Sequence, residues 1–376
     1  MKILENKYIN IDDNELCHLQ KVLASKQLSG TSNIILEYEE KLSDYFKVKY
    51  ALGVTSGTSA IEIALRAVGV ERGDEVITTP LGPVMTPLPI LSIGAIPVFV
   101  DCESLYSFNI SIDDLKNKIT AKTKAIISVP MWGYPNDMSK IKELCKKNNI
   151  ALIEDASHCH GTMLNGNFQG SFGDIGVFST QERKMIGTGE GGFVLTDNKY
   201  LATRIKELRN FGKPLRKEFI DLGLENQYGY LFGLNYRLNA FAAGIGIAQI
   251  DKLERKIYQR KNNAKYYKRH LNNEYLKELP IIENGLPNYY SIVFHVLHPS
   301  LSAFKIGEKL SKLGIISDTY RFNYKVLFKM PLFESFVSEC PNSEVLSGSI
   351  ITLPTHEGLL LDDLKFVVST VNDILK

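Results

Sequence analysis

The sequence predicts an α/β fold in which a larger domain is followed by a smaller α+β domain. From about residue 50 to 200, short runs rich in Val and Ile alternate with longer stretches of helical period, as in βα units that feed one sheet. After about residue 255, short strands and helices are mixed. A chain of 376 residues is also longer than one ordinary hydrophobic core accommodates. We therefore expect a large domain at 1–250, including an N-terminal arm, and a small domain at 251–376.

The individual elements follow from this alternation of patterns. We predict strands at 51–54, 75–79, 97–101, 123–130, 151–155 and 291–297, and helices at 59–68, 137–148, 240–270 and 302–313. In open α/β sheets, ligands collect outside the carboxyl ends of the strands. Asp101 and Asp155, each at the end of a predicted strand, are therefore candidate site residues.

The composition restricts the class of partner. Lys and Arg number 44 and Asp and Glu 42, so the net charge of +2 is too small to recruit nucleic acid or an anionic membrane. Five cysteines without a CxxC pair argue against a disulfide framework or a zinc ribbon and indicate a reducing compartment. No apolar signal segment or long uninterrupted apolar stretch is visible. We expect a cytoplasmic protein that acts on small molecules, without a membrane span or metal.

The predicted helix 240–270 ends in a strongly basic segment. Its basic residues are Lys252, Arg255, Lys256, Arg260, Lys261, Lys265, Lys268 and Arg269. Tyrosines between them would suit a nucleic-acid surface, but the acids Asp251 and Glu254 lie among the first of these bases. The sequence therefore favours a solvated helix face.

Three segments of the larger domain could carry chemistry. The first, Ser56, Gly57 and Thr58, lies between a predicted strand and a helix, where free N–H groups and hydroxyls can hold a phosphate. An ordinary helix cap is the alternative. The second segment runs from Asp155 to His158. Asp155 is either a strand-end acid that keeps a ring nitrogen protonated, or a cap of the following segment, with His158 as an ordinary hydrogen-bonded residue. A metal site in the run from His158 to His160 is disfavoured, because adjacent residues seldom converge on one ion.

The third segment is Lys184, which is followed by glycines at 187, 189, 191 and 192. A lysine of lowered pKa can form a Schiff base, although an isolated lysine is more often a solvated surface charge. Pyridoxal phosphate needs a lysine, an acid at its pyridine nitrogen and an anion cradle. The three segments supply all of these groups, and together they are far more specific than any one of them.

The residues that carry these features resemble the DegT/DnrJ/EryC1/StrS aminotransferases, which are sugar-modifying members of the fold-type I pyridoxal-phosphate enzymes. The resemblance covers nearly the whole chain and includes SGTSAIEIAL, GDEVITTP, GAIPVFVD, TKAIISVPMWGYPNDM, IEDASHCHGT, GSFGDIGVFS, Lys184 with TGEGG, GLNYRLN, AAGIGIAQIDKL and ITLPTHEGL. It implies a large domain with a mixed, mostly parallel sheet flanked by helices.

The resemblance also implies roles for individual residues. Lys184 would form the aldimine with the cofactor, and Asp155 would pair with the pyridine nitrogen. Ser56, Gly57, Thr58 and Ser179 would hold the phosphate, and His158 would face the ring or its phenolic oxygen. Asn235 would reach the phosphate of a neighbouring subunit, which implies a homodimer with shared sites.

The implied reaction is a ping-pong transfer of an amino group, through Lys184, from glutamate to a keto sugar, most simply a nucleotide-linked one, in amino-sugar, surface-glycan or secondary-metabolite biosynthesis. A keto-cyclitol or an unactivated keto sugar phosphate fits these residues nearly as well. Some relatives dehydrate C3 instead, with the lysine replaced, so Lys184 argues against that branch. A non-catalytic regulator or scaffold is the alternative from a different class.

Further residues are candidates for substrate contact. Tyr320, Arg321 and His356 lie in late loops that approach the active-site mouth in similar proteins, and Arg237 offers a forked donor for a carboxylate or a phosphate. Packing within the small domain or across a dimer is the alternative. The segment after Thr79-Pro80 lacks the aromatic that many relatives place against the cofactor, and Val84 occupies the equivalent position.

Overall fold

The fold was analysed in a computed structural model that describes residues 2–225, 227–272 and 274–376. Its centre is a seven-stranded sheet in the order β1-β11-β10-β7-β6-β2-β3. The strands from β10 to β3 are parallel, and β11 alone runs against its neighbours β1 and β10. Helices including α2, α3, α6 and α7 pack on this sheet. The predicted α/β class and the mixed, mostly parallel sheet are confirmed.

The strands are β1 Tyr50–Val54, β2 Glu75–Thr78, β3 Ile96–Phe99, β4 Cys102–Ser104, β5 Ser107–Ile110, β6 Thr123–Ser128, β7 Ala151–Asp155, β8 Met163–Leu164, β9 Asn167–Phe168, β10 Ile175–Ser179, β11 Gly192–Thr196, β12 Leu276–Glu278, β13 Gly285–Leu286, β14 Ile292–Val296 and β15 Ile350–Leu353. The helices are α1 Asp13–Ser25, α2 Asn33–Phe46, α3 Gly57–Ala67, α4 Leu88–Ser92, α5 Ile112–Lys118, α6 Ser139–Asn148, α7 Lys199–Leu208, α8 Lys217–Ile220, α9 Ala240–Asp251, α10 Leu253–His270, α11 Ala303–Lys312, α12 Asp318–Arg321, α13 Pro341–Ser349 and α14 Leu361–Ile374. Short 3-10 turns lie at Met131–Gly133, Leu327–Lys329 and Pro331–Phe336. None of the helices in the described ranges combines the length and apolar character needed to cross a membrane.

The smaller part of the chain is built on a three-stranded antiparallel sheet, β12-β14-β15, against which α11 packs. The start of the chain joins this part of the fold. The backbone N–H of Leu4 donates to the carbonyl of Gly314 at 2.8 Å, and the carbonyl of Leu4 accepts from the N–H of Ile316 at 2.8 Å. The predicted helix 240–270 is two helices, α9 and α10, which meet at Lys252. The domain boundary after residue 250 stays a prediction, and residue 250 lies close to this junction.

The prediction of a solvated basic face on α10 is wrong for the side of the helix that carries Lys256 and Arg260, and for Lys252 before it. All three are buried, because the helix crosses between the two parts of the chain. Lys256 donates to the carbonyl of Met185 at 2.7 Å, and Arg260 donates to the carbonyl of Tyr290 at 3.0 Å. The helix therefore connects the segment after Lys184 to the loop before β14.

Asp101 has a structural role, so the hypothesis that it belongs to the site is wrong. It follows β3 at the edge of the sheet, three strands away from β7. Its Oδ1 accepts from the backbone N–H of Ser343 at 2.8 Å, and its Oδ2 accepts from that of Asn342 at 3.0 Å. Because these are among the first N–H groups of α13, Asp101 satisfies donors that the helix itself leaves unpaired.

Candidate active site

The site lies at the edge of the sheet where β1, β10 and β7 end. Gly192 begins the antiparallel strand β11 and is opposite both Val54 and Ser179 in the sheet register. A Cβ at Gly192 would lie 2.7 Å from the backbone of Ser56 and from the carbonyl of Phe178, so only glycine allows this close approach. The loop after β1, which is the candidate phosphate site, is thereby held next to the end of β10.

The loop at Ser56 forms the start of α3. Ser56 is the N-cap: its Oγ accepts from the N–H of Ser59 at 3.0 Å, and the Ser59 hydroxyl accepts from the N–H of Ser56 at 2.9 Å. The capping alternative is therefore correct for the Ser56 side chain. It coexists with an anion cradle, because the cap leaves the N–H groups of Gly57 and Thr58 at the positive end of the helix.

Gly57 packs directly on Ser179. A Cβ at Gly57 would lie 2.7 Å from the Cβ of Ser179 and 3.3 Å from its hydroxyl. The two residues that the sequence assigns to one phosphate therefore lie against each other in space, with Ser179 at the end of β10.

Gly57→Ala is expected to displace Ser179 and to weaken the binding of pyridoxal phosphate by about 10-fold, since an added methyl group in such a tight contact costs roughly 1–3 kcal/mol. A fluorescence titration of the cofactor-free protein with pyridoxal phosphate measures the effect. Gly348→Ala is the matched control, because a Cβ at Gly348 would meet nothing within 4 Å. Equal affinities for the two variants would contradict the assignment of the cradle.

Asp155 is held as a buried acceptor between two hydroxyl donors. Thr86 donates to its Oδ2 and Ser157 to its Oδ1, both at 2.6 Å. The Ser157 hydroxyl also accepts from the N–H of Ser179 at 3.1 Å, which connects the carboxylate to the phosphate side of the site. Such a buried carboxylate can hold a positive charge, such as a protonated ring nitrogen, in a fixed position.

His158 is neutral and oriented. Its ring stacks on that of Tyr290, with centroids 4.3 Å apart and an interplanar angle of 9°. The N–H of Trp132 donates to Nδ1 at 3.3 Å, so the proton of the neutral ring is on Nε2. Burial, assisted by the nearby Lys184, keeps the pKa of His158 well below its ordinary value. The residue therefore offers one N–H donor.

Lys184 lies over the ring of Tyr290, which is the stacking partner of His158. Its Nζ is 5.4 Å from the centroid of the Tyr290 ring, within range of a cation–π contact. Burial lowers the pKa of Lys184 from 10.5 to about 8, and the carboxylates of Asp155 and Asp318 oppose this change. A lysine in this state can act as a nucleophile or a base near neutral pH.

Charged residues surround the mouth of the site next to Lys184. We call them the mouth cluster: Glu5, Lys7, Glu182, Arg183 and Arg321. Glu5 is paired with Arg321 and lies 3.7 Å from Arg183, and Lys7 pairs with Glu182 at 2.6 Å. The residues before Lys184 are therefore joined to the N-terminal segment, and substrate contact by Arg321 stays a prediction.

Asn235 and Arg237 lie on a segment beside the cradle. The carbonyl of Tyr236 accepts from the N–H of Thr55 at 3.1 Å. Asn235 is exposed, and its Oδ1 accepts from Arg237 Nε at 3.2 Å, while Arg237 Nη1 donates to Asn210 at 3.2 Å. Both contacts are within one chain, and the roles predicted for Asn235 across a dimer and for Arg237 with substrate stay predictions.

The remaining predicted residues make packing contacts. Tyr320 packs on Phe304 of α11, with ring centroids 5.1 Å apart. The His356 ring stacks on Tyr8 at 5.0 Å, and its Nδ1 accepts from the N–H of Gly358 at 3.2 Å. Val84 is partly buried against the main core. Substrate contact by Tyr320 and His356 stays a prediction.

The residues present fit pyridoxal phosphate. The paired Gly57 and Ser179 and the free N–H groups of α3 suit a phosphate, and Asp155 suits a protonated pyridine nitrogen. Lys184 has the lowered pKa that a Schiff base requires. Gly57, Ser179 and Asp155 come from the ends of three strands at one edge of the sheet, and Lys184 lies in the loop that follows β10.

Sequence reasoning missed the residues that position these groups. Thr86 and Tyr290 lie outside every motif of the resemblance, and Ser157 lies within IEDASHCHGT but was given no role. Only the contacts of Asp155, Ser179 and Lys184 reveal these three residues. Asn288 was missed as well: its Nδ2 donates to the carbonyls of His158 and His160, at 2.9 Å each.

The two histidines have different surroundings. The edges of the Phe178 and Phe193 rings pack against His160, whereas His158 stacks on Tyr290.

Comparison with known proteins finds relatives that match over nearly the whole chain. GDP-perosamine synthase of Escherichia coli O157:H7 is 30% identical over 374 residues, which cover 99% of each chain. The solved structure of Helicobacter pylori PseC, an aminotransferase involved in pseudoaminic acid biosynthesis, matches with a TM-score of 0.88 and 27% identity, over 100% of this chain and 99% of that one. An E. coli GDP-4-keto-6-deoxy-D-mannose-3-dehydratase with bound hydrated PLP matches with a TM-score of 0.88 and 26% identity, over 100% of both chains.

The match to the family model extends over residues 9–372 and so includes every strand and helix of the site. The predicted resemblance is confirmed by this match and by the whole-length relatives. The chain belongs to the DegT/DnrJ/EryC1/StrS aminotransferase family.

Proposed function

We propose that this protein transfers the amino group of L-glutamate to a nucleotide-linked keto sugar, with pyridoxal phosphate as cofactor. The observation that carries the proposal is the convergence of Lys184, Asp155 and the Gly57–Ser179 cradle at one sheet edge. Glutamate would bind first and give up its amino group, and 2-oxoglutarate would leave before the keto sugar enters, so the kinetics are expected to be ping-pong. The GDP- and UDP-sugar names of the relatives support a nucleotide-linked acceptor.

Lys184 moves protons in this proposal. Bound pyridoxal phosphate supplies an electron-withdrawing ring that stabilises negative charge next to the transferred nitrogen. The Lys184 amine then takes the proton from the α-carbon of the donor and returns a proton to the acceptor carbon. Its low pKa keeps a useful fraction of the amine neutral. The Tyr290 ring below the amine limits where the Nζ can move.

Asp155 and His158 hold the groups around this proton transfer. Asp155 keeps a proton on the ring nitrogen, because Thr86 and Ser157 fix both carboxylate oxygens. His158 donates from Nε2, since its Nδ1 is already an acceptor for Trp132. The stack of His158 on the buried Tyr290 excludes water from that side of the site.

A homodimer with shared sites is part of the proposal. The segments around Asn235 expose several large apolar side chains that a partner subunit would cover: Phe211, Tyr228, Tyr230, Phe232 and Leu234. Contiguous apolar groups of this kind mark interaction surfaces. Asn235 and the exposed Thr58 lie in the same region, so a second copy that covers it would complete the cradle.

The direct test is product analysis. The cofactor-loaded protein is incubated with L-glutamate and with GDP- or UDP-linked 4-keto-6-deoxy sugars, and the sugar product is identified by mass spectrometry. Replacement of the keto oxygen by an amino group, with release of one 2-oxoglutarate per amino sugar, supports the proposal. Amination of a keto-cyclitol or a keto sugar phosphate instead would favour those acceptors, and no amination of any of them would favour the regulator or scaffold.

The low pKa of Lys184 predicts how the cofactor-free protein captures pyridoxal phosphate. Only the neutral amine attacks the aldehyde, so below pH 8 the capture rate should rise about 10-fold per pH unit and then level off, since the pKa is about 8. Stopped-flow absorbance from pH 6 to 10 measures this rate. An exposed lysine, with its ordinary pKa near 10.5, would show a rate still rising at pH 10 and would contradict the burial argument.

A further inference from the structure

Two buried acceptor oxygens near Lys184 lack hydrogen-bond donors. Asp318 and Asn6 are 7% and 3% exposed, and the Oδ1 atom of each has no partner among the residues that the structure describes. The side chains are adjacent, because Asn6 Nδ2 lies 3.4 Å from Asp318 Oδ2 and also donates to the carbonyl of Tyr290 at 2.7 Å. Buried polar atoms are normally paired, so this pair of oxygens needs an explanation.

The pair lies on the Lys184 side of the site. Lys184 contacts the Tyr290 ring, and Asn6 contacts the backbone of the same residue. Asp318 is also close enough to Lys184 and Arg183 for their charges to lower its pKa, against a larger increase caused by burial. Asp318 therefore lies near Lys184, and unlike Asp155 it keeps one carboxylate oxygen without a donor among the described residues.

The nearby cations are engaged elsewhere. In the mouth cluster, Arg183 and Arg321 are directed toward Glu5, and neither forms an ion pair with Asp318 among the described residues. The Asp318 N–H donates to Thr352 Oγ1 at 2.8 Å, so its backbone is fixed while one carboxylate oxygen stays free. Two buried acceptors without donors can receive hydrogen bonds from a bound molecule that brings donors.

We propose that Asp318 and Asn6 are specificity-determining residues that accept hydrogen bonds from hydroxyl groups of the sugar ring, an inference that rests on the proposed function. A neutral polyol suits this place better than an ammonium group, because Lys184 and Arg183 already bring positive charge close to Asp318. Two acceptors side by side match neighbouring hydroxyls on one ring. An acceptor that carries free hydroxyls at this point is therefore selected over a deoxygenated one.

Calorimetric titration of the cofactor-loaded protein tests the proposal. The probes are GDP-mannose against GDP, and UDP-N-acetylglucosamine against UDP, so that the contribution of the sugar is the ratio of the two affinities. In the wild type, at least one sugar nucleotide should bind more tightly than its nucleotide. In Asp318→Asn and Asp318→Ala, this advantage should fall by about 10- to 100-fold, as expected for a lost hydrogen bond to a charged group, with nucleotide affinity unchanged.

Controls separate this inference from the proposed function. Asp362→Asn, on a carboxylate that is 91% exposed on α14, should leave both affinities unchanged. In the same samples, bleaching of the cofactor by glutamate reports on the aminotransferase proposal separately, because glutamate reacts without any sugar nucleotide. The inference is overturned by a sugar advantage that persists in the Asp318 variants, by its absence in the wild type, or by a variant that loses glutamate turnover instead.

Discussion

Lys184→Ala is expected to lower the rate of amino transfer by at least about 10²- to 10⁴-fold, the usual contribution of a positioned general base. Lys256 is the nearby buried lysine that could be considered as a substitute. Its amine already donates to the Met185 carbonyl and to Gln249, so we do not expect it to replace Lys184. The variant should keep its fold, because Lys184 makes no ion pair among the described residues. Turnover with glutamate, together with the unfolding transition, measures both effects.

The matched control is Lys365→Ala, on the exposed surface of α14, where Asp362 is the only ion-pair partner of the lysine among the described residues. It should keep turnover within about 2-fold of the wild type, as surface ion pairs contribute little. A Lys184→Ala protein that transfers amino groups at a comparable rate would show that the reacting lysine lies elsewhere.

Asp155→Asn should have the second-largest effect. The carboxylate is buried and receives two short hydrogen bonds, so replacing it by an amide removes its charge and turns an N–H₂ group toward one of the donors, Thr86 or Ser157. Loss of such a preorganised electrostatic contact costs about 10²- to 10³-fold in kcat. Single-turnover kinetics with glutamate measure the loss. Thr86→Val, which removes one positioning bond and keeps the charge, should cost only about 10-fold.

Asp101→Asn is the matched control, since Asp101 is the other buried strand-end acid and binds the start of α13. It should destabilise the protein by about 0.5–2 kcal/mol through the helix start and leave the kcat of the folded enzyme unchanged. Equal kinetic losses in Asp101→Asn and Asp155→Asn would mean that Asp155 acts only through stability.

The sheet and the convergence of the main site residues could be predicted because they depend on local patterns. The apolar run of β7 ends at Asp155, and the strand–turn–helix pattern places Gly57 at the start of α3. In the structure, the ends of these helices and strands lie within a few residues of the predicted ends. A predicted helix at 59–68, for example, begins at Gly57, because Ser56 is the cap.

Contacts between distant segments could not be predicted in this way. The pairing of Leu4 with Ile315 brings Glu5 and Asn6 to the mouth of the site, and no local pattern in either segment reveals it. Lys256 and Arg260 are buried because α10 passes between the two parts of the chain. The basic sequence of this helix predicts a solvent-exposed face instead. Thr86 and Asp318 became visible only through their spatial partners.

The decisive measurement is the visible absorbance of the purified protein with pyridoxal phosphate, recorded before and after excess L-glutamate. We expect a visible band from the lysine-bound cofactor that glutamate bleaches in the wild type, and an altered band without turnover in Lys184→Ala. Protein that gains no band from added pyridoxal phosphate, or a band that glutamate leaves unchanged, would show that Lys184 does not carry the cofactor in an aminotransferase site.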